Sequence, residues 1–280
     1  MVNEMSQTSR FPAEWEQQSA VLMAWPHVGT DWAERLELVQ RCFAQIMAAI
    51  CVHQKLIVCV PNPELERQAR SFLIAANCAL SNLHFVHIPY NDTWLRDSGP
   101  ITLVNADNSK VMLDFHFTAW GGKFESNLDD KIVSLLLSSL NTFANCTHQR
   151  IDFALEGGGI ETDGAGTLLS TWHCLHERHP DKSRDEISAF LMSSLKQQRL
   201  LWLDYGYLEG DDTDAHIDTL ARFASPTSIV YQGCQDITDS HYGELQRMAN
   251  ELSQFKQLNG NPYELFELPW PQPIIDNGRR

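Results

Sequence analysis

The stretch EGDDTDAHID, residues 209 to 218, sets five carboxylates, Glu209, Asp211, Asp212, Asp214 and Asp218, around one histidine, His216. Two further polar motifs stand at similar distance along the chain: NDTWLRDSGP, residues 91 to 100, and EGGG, residues 156 to 159. Asp97 and Asp218 are acceptors able to grip a planar guanidinium from two sides, each through paired N–H donors. Glu156 would add a third acceptor or share a proton. His216, two residues before Asp218 on an expected strand, would project to the same face and act as general acid and base. A guanidinium carbon is a poor electrophile, so its hydrolysis also needs a strong nucleophile, and a cysteine thiolate is the natural candidate.

Each motif has a plainer explanation when taken alone. Asp and Gly cluster in turns for backbone reasons, so GDDTD is compatible with an ordinary loop. Arg96 beside Asp97 is compatible with a structural ion pair. EGGG marks a tight bend, and it lacks the Lys and Ser or Thr of a phosphate loop. A rival constellation lies at WHCLHERHP, where His173, Cys174, His176 and His179 have spacings a metal could use. Pro180 and the flanking turn residues point instead to a short exposed loop, and no paired half with zinc-site spacing stands elsewhere, so no metal site is expected.

The elements that must position the motifs form a repeat. Helical periodicity runs over 31–50, 63–80, 127–143, 184–198 and 241–255, and the last three segments start 57 residues apart. Each is followed by a short apolar run (QRIDFAL, LLWLDY, YELFELP). Each is preceded by a strand-like pair: GPITLVN with KVMLDFHF, GGIETDG with GTLLSTW, HIDTLARF with TSIVYQG. The expected fold is therefore α/β, with strand–strand–helix–strand units arranged radially so that strand edges find neighbours. Asp97, Glu156 and His216, 59 and 60 residues apart, fall at one phase of that repeat. Pseudo-symmetry would gather them at one end of the ring.

Composition sets outer bounds. The 280 residues, 43% hydrophobic, suffice for a sizeable core, and one domain over 1–280 is expected. The start has no basic stretch followed by an apolar run, and CVHQKLIVCV is interrupted by His53, Gln54 and Lys55, so neither a signal peptide nor a membrane span is expected. Seven cysteines (42, 51, 59, 78, 146, 174 and 234) without a CxxC pair suit reduced thiols in a cytoplasm. A net charge of -15 argues against nucleic acid and favours a small cationic ligand.

The motifs FPAEWEQQSAVLMAWP with Asp31-Trp32, NDTWLRDSGP, FTAWGGKF, EGGGIETDGAGTLLST, DDTDAHIDTLARF and PIIDNGRR, in that order from about residue 11 to the last, resemble the agmatine deiminase family, within the larger superfamily that includes arginine and peptidyl-arginine deiminases. The resemblance implies a five-bladed α/β propeller of ββαβ units. The implied reaction is hydrolysis of agmatine to N-carbamoylputrescine and ammonia, in putrescine biosynthesis. No metal or organic cofactor is implied, and the complete protein would be a homo-oligomer.

Carried over, the resemblance makes Asp97 and Asp218 guanidinium ligands, His216 the acid and base, Glu156 a substrate-orienting acceptor, and Trp94 part of the pocket lining. Trp25, Asp31, Trp32 and Trp120 become candidates for reading the substrate's primary amine. The family nucleophile is a cysteine in a Gly-x-x-His-Cys context near the C-terminus, and the sequence stops at DNGRR before such a segment. None of the seven cysteines matches it. Cys234, in YQGCQD, is the nearest substitute and reads as a structural thiol. The expectation is thus a last blade cut short and a chain inactive as given. The alternatives are an arginine or peptidyl-arginine deiminase, in which Arg96 or Lys123 would meet an α-carboxylate, and a guanidine- or polyamine-binding protein without chemistry.

Overall fold

A computed structural model describes residues 9–139 and 145–272. The PIIDNGRR motif and the end of the helix expected over 127–143 lie outside the described residues. The described chain groups into two compact units, one of residues 17–101, 112–139 and 145–153, the other of residues 9–16, 102–111 and 154–272.

In the first of these, β1 (Val21–Ala24), β2 (Leu56–Val60) and β3 (Leu83–His87) form a wholly parallel sheet in the order β1-β2-β3, with Val21 opposite Leu56 and Leu56 opposite Leu83. Parallel neighbours need long crossovers. Those are α1 (Leu36–His53) and α2 (Pro63–Ala75). β2 reads LIVCV and is buried at all five positions, as suits a strand covered on both faces. On one face, Leu56, Val58 and Val60 cluster with Trp25, Ala44, Met47, Cys51 and Leu73. On the other, Ile57 and Cys59 cluster with Val86, Ile88, Tyr90 and Leu95.

The buried residues of α1, namely Gln40, Ala44, Met47 and Cys51, recur every three to four positions and so share one stripe. By length and composition alone Ala33–His53 could cross a membrane. Its buried stripe against the sheet and its exposed Glu37–Arg41 ion pair are the pattern of an amphipathic surface helix. The N-terminus of α2 is fixed by Asn62, whose Oδ1 accepts from the Leu65 N–H at 3.0 Å, with Pro63 in the first turn.

The chain continues through the single turn α3 (Leu95–Ser98), β4 (Ile101–Val104), β5 (Lys110–His116), α4 (Ala119–Gly122), α5 (Ile132–Ser139) and β6 (Cys146–Ala154); β4, β5 and β6 form a sheet in that order. The other unit holds two sheets. β7 (Ile160–Thr162) runs antiparallel to β8 (Thr167–Thr171), and β8 runs parallel to β9 (Arg199–Leu203) after α6 (Trp172–Arg178) and α7 (Arg184–Ser194). β10 (Ala221–Ser225) is antiparallel to β11 (Ser228–Gln232), which is parallel to β12 (Glu264–Leu268) after α8 (Tyr242–Gln254). The strand–strand–helix–strand unit therefore occurs twice here. The all-parallel β1-β2-β3 sheet departs from it, because each of its strands is joined to the next by a helix.

Several expected boundaries move, for local reasons. The helix expected over 63–80 stops at Ala75, two residues before Asn77, whose φ of 57° is left-handed; that expected over 184–198 stops at Ser194, ahead of Lys196 at φ 57°. The helix expected over 31–50 begins at Leu36 and runs to His53. HIDTLARF is not one strand: Ile217–Thr219 is a 3-10 turn and β10 begins at Ala221. His216 and Asp218 therefore do not share a strand face, and strand alternation does not bring them together. WHCLHERHP is not an exposed loop. Its first seven residues are the helix α6, with Cys174, Leu175 and Arg178 buried.

α7 starts on a capping box in which the Ser183 hydroxyl accepts from the Glu186 N–H and the Glu186 carboxylate accepts from the Ser183 N–H at 2.8 Å. Ser183→Ala is expected to lower stability by about 1 kcal/mol, read as a shift in the urea midpoint with unchanged slope. An unchanged midpoint would mean the cap contributes nothing in this helix.

Candidate active site

Four buried side chains converge in the second unit: Glu156, Cys174, Arg178 and His216. Glu156 follows β6 and opens the 3-10 turn Gly157–Gly159; it is 0% exposed. Cys174 and Arg178 are four residues apart on α6, hence on one face of that helix. The Arg178 Nε donates to both carboxylate oxygens of Glu156, at 2.9 and 3.1 Å, and the His216 Nε2 lies 3.5 Å from Glu156 Oε2. Ligand-type atoms of Glu156, Cys174 and His216 all lie within 4.8 Å of one another, the one such grouping of three metal-capable side chains among the described residues. The rival set of His173, Cys174, His176 and His179 is not such a grouping among the described residues. His179 instead donates its Nε2–H to the Ala154 carbonyl at 2.8 Å. A cation in the Glu156–Cys174–His216 group would compete with the Arg178 guanidinium already on the carboxylate, so these residues fit a proton-handling site better than a metal site.

The electrostatics follow from burial and pairing. Burial alone would raise the Glu156 carboxyl, but the hydrogen bond with His216 and the charge of Arg178 outweigh it and hold the group below its ordinary value. For Arg178 burial opposes the charge, while the carboxylates of Glu156 and Asp214 push its pKa up. The Cys174 thiol is pushed up, first by burial and then by the Glu156 charge, against the opposing effect of His216. A thiol raised in this way carries little thiolate at neutral pH and is a poor nucleophile.

The acidic stretch that precedes His216 is largely architecture. Asp211 accepts from the Thr213 N–H at 2.9 Å, the Thr213 hydroxyl at 2.5 Å and the Ala215 N–H at 2.7 Å, which folds the loop on itself. Asp214 accepts from Arg178 Nη1 at 2.6 Å, and the Thr213 carbonyl accepts from Nη2 at 3.0 Å. Asp214 and Ala215 are both left-handed, at φ 64° and 66°. The Thr171 hydroxyl, just before α6, donates to the Ala215 carbonyl at 2.6 Å. Asp218 follows in the 3-10 turn, with its charge facing Arg222, whose Nε donates to Glu161 at 2.6 Å. Among the five carboxylates, Asp211 and Asp214 thus serve the loop, and Asp218 is the one two residues beyond His216.

Asp97 and Trp94 belong to the other unit. Trp94 is 41% exposed and its ring stands 5.4 Å from that of Trp32, whose Nε1 donates to the Thr93 hydroxyl at 2.8 Å. Asp97 lies on α3, and its Oδ2 accepts from the Trp120 Nε1 at 3.0 Å. Trp120 reaches it from α4, where Ala119, Trp120, Gly121 and Gly122 are all left-handed, a strained run that Gly121 and Gly122 ease. The loop before Trp94 is anchored by Asp129, whose carboxylate accepts from the Asn91 N–H at 2.7 Å and whose pKa burial pushes up to about 6. Asp31 and Asp92 are linked through the Asp31 N–H, which donates to Asp92 Oδ2 at 3.2 Å. Trp25 is fully buried in the core. Cys234 is fully buried in the cluster around Ile229, Leu245 and Met248, the place of a structural thiol.

The sequence pattern pointed to Glu156 and His216, and the structure brings them together. It did not point to Arg178. The available signal was the i, i+4 spacing of Cys174 and Arg178, which matters only once the segment is read as a helix.

Comparisons with known proteins show which family the chain belongs to. A family model described as Porphyromonas-type peptidyl-arginine deiminase matches residues 10–280. The agmatine deiminase of Pseudomonas fluorescens is 31% identical over 272 residues, covering 94% of this chain and 71% of that protein. A structure of C. jejuni agmatine deiminase, a cysteine-to-serine variant with substrate bound, superposes with a TM-score of 0.88 at 32% identity, over 100% of this chain and 79% of that one. The agmatine deiminase of Enterococcus faecalis gives a TM-score of 0.85 at 27% identity, over 96% and 72%.

Proposed function

Because this chain is a hydrolase that belongs to the Porphyromonas-type peptidyl-arginine deiminase family, we propose that it acts on the guanidinium of agmatine, releasing ammonia and N-carbamoylputrescine. The observation that carries this reading is the buried Glu156–His216 pair held by Arg178, an acid–base group beside a fixed carboxylate. Asp97 and Asp218 each accept paired N–H bonds from the substrate guanidinium, Glu156 orients it, and Trp94 lines the pocket. In the first half-reaction a thiolate adds to the guanidinium carbon, and the bond to a terminal nitrogen breaks as His216 gives it a proton. In the second, His216 takes a proton from water as it adds to the amidino-thioether carbon, and the C–S bond breaks to return thiolate and release the urea product. None of the seven cysteines is assigned as that thiolate. The same family reading makes the strand–strand–helix–strand units blades of a five-bladed α/β propeller in a cytoplasmic homo-oligomer.

The test is incubation of the purified chain with agmatine, with arginine and with a blocked arginine peptide, each product being quantified by mass spectrometry. N-carbamoylputrescine formed faster than either citrulline product supports the proposal, and the reverse order overturns the substrate choice. A second reading, guanidine or polyamine binding without turnover, is favoured by one observation: the thiol beside His216 is fully buried, which pushes its pKa up. Agmatine heat in calorimetry with no product selects it. Asp97→Asn is expected to weaken agmatine binding roughly tenfold, because one face of the guanidinium loses its charged acceptor. Unchanged affinity would make Asp97 a structural residue rather than a guanidinium ligand.

A further inference from the structure

We propose that Arg178 is the positioning residue of this site, its one guanidinium fixing both the Glu156 carboxylate and the left-handed step from which His216 is presented. The geometry divides the guanidinium among three acceptors: Nε serves the two oxygens of Glu156, Nη1 the carboxylate of Asp214, and Nη2 the carbonyl of Thr213. A planar fork reaches all three at once, whereas an ammonium is a single point charge. The Arg178 side chain is 1% exposed and that of Glu156 0%, so their contact is shielded from water.

What the fork holds is a backbone that would not stay in place unaided. Two consecutive non-glycine residues, Asp214 and Ala215, are left-handed, and such conformations persist only when their surroundings over-determine them. Here three devices do so: Arg178 on Asp214 and Thr213, Asp211 on the Thr213 and Ala215 amides, and the Thr171 hydroxyl on the Ala215 carbonyl. Thr171 immediately precedes α6 and Arg178 ends it, so both ends of this two-turn helix grip the loop. The next residue is His216. Arg178 therefore couples the acid–base group to its carboxylate without touching substrate. The structural half of this inference stands on geometry; its catalytic consequence rests on the deiminase reading.

Arg178→Lys keeps the charge and loses the fork, and Asp214→Asn keeps the shape and loses the loop's charged tether. Hydrogen exchange by mass spectrometry reads the tether directly. Peptides spanning 211–216 are expected to exchange at least tenfold faster in Arg178→Lys, and in the same place but less in Asp214→Asn, while α8 peptides keep the wild-type rate. Unchanged exchange at 211–216 in both variants overturns the proposal, as does acceleration spread evenly over the unit, which marks Arg178 as general packing.

The catalytic consequence has its own readout in agmatine kinetics. Turnover by Arg178→Lys is expected to fall at least tenfold with KM within a few-fold. The acid limb of its pH profile should move to higher pH, because the Glu156 carboxylate loses part of what holds it ionised. The titratable and charged groups that act on Glu156 are His216, Arg178, Cys174 and His179, and Asp214 is held by Arg178. A fall expressed wholly in KM would make Arg178 a substrate-affinity determinant and overturn the positioning role. A wild-type chain that neither binds nor converts agmatine sinks the deiminase reading, and the exchange data still decide whether Arg178 tethers the loop.

Discussion

In a form of the protein that carries the nucleophilic thiolate of the proposed reaction, His216→Ala is expected to lower agmatine turnover by roughly two to four orders of magnitude while changing agmatine affinity no more than a few-fold. The asymmetry follows from what the side chain does. His216 is 1% exposed and its Nε2 faces Glu156, so it is placed to carry a proton, while the proposed reading gives the charge contacts with a cationic substrate to carboxylates. Removing a proton-transfer group raises the barrier of both half-reactions, the departure of ammonia and the activation of water. It leaves the acceptors of the guanidinium in place. Stopped-time assays of product by mass spectrometry, with calorimetry for affinity, separate the two quantities. Equal turnover in wild type and variant would sink the acid–base assignment, and a matched loss of affinity would move His216 to the binding set. Arg178→Lys should resemble a weak version of this variant in turnover and differ from it in loop exchange.

Much of the fold was legible because it repeats. A strand pair, a helix and a returning strand recur with enough spacing regularity that IETD–TLLST and ARFAS–SIVYQ both fell in the right order, each closing on a parallel strand. The β1-β2-β3 sheet was not legible, since its first strand, VLMA, is only four residues long and sits inside a stretch with no alternation. Boundaries failed where single residues carried the decision. Asn77 and Lys196 follow helix ends in left-handed backbone, a stop that hydrophobic periodicity does not mark.

The site was legible in its outline and hidden in its linkage. Glu156 and His216 share a phase of the repeat, and that alone sufficed to place them together. The reason given for aligning His216 with Asp218, strand alternation, failed because the backbone between them turns through a 3-10 segment. Arg178 was hidden because its partners are 22 and 36 residues away and its segment, rich in His and ending at a proline, reads as a loop. A cationic side chain buried by distant carboxylates leaves no local signature. The apparent excess of negative charge before His216 has the same explanation: Asp214 is the far end of the Arg178 fork, and Asp211 replaces backbone partners that a left-handed turn cannot find along the chain.

The same fork makes Glu156 a stability residue as well as a chemical one. Glu156→Gln keeps the volume and one acceptor oxygen but removes the charge opposite a guanidinium that is 1% exposed. Breaking a buried pair from one side is costly because the remaining charge has been taken out of water, and the expected loss is about 3 kcal/mol at pH 7. The dependence on pH has a definite sign. Burial raises the Glu156 carboxyl, but the His216 hydrogen bond and the Arg178 charge lower it further, so the folded value lies below the ordinary 4.5. Ionised Glu156 therefore contributes stability that is complete above 4.5 and is lost as the pH falls through the folded value. Urea denaturation of wild type and Glu156→Gln should show a wide gap at pH 7 that narrows only below 4.5. A gap that is constant down to strongly acid pH would mean the substitution acts through packing, and a gap near zero at pH 7 would mean that Asp214 alone compensates Arg178. Because acid narrows the gap by protonating Glu156 in the folded protein, turnover and stability should decline together on that side, one carboxylate serving both.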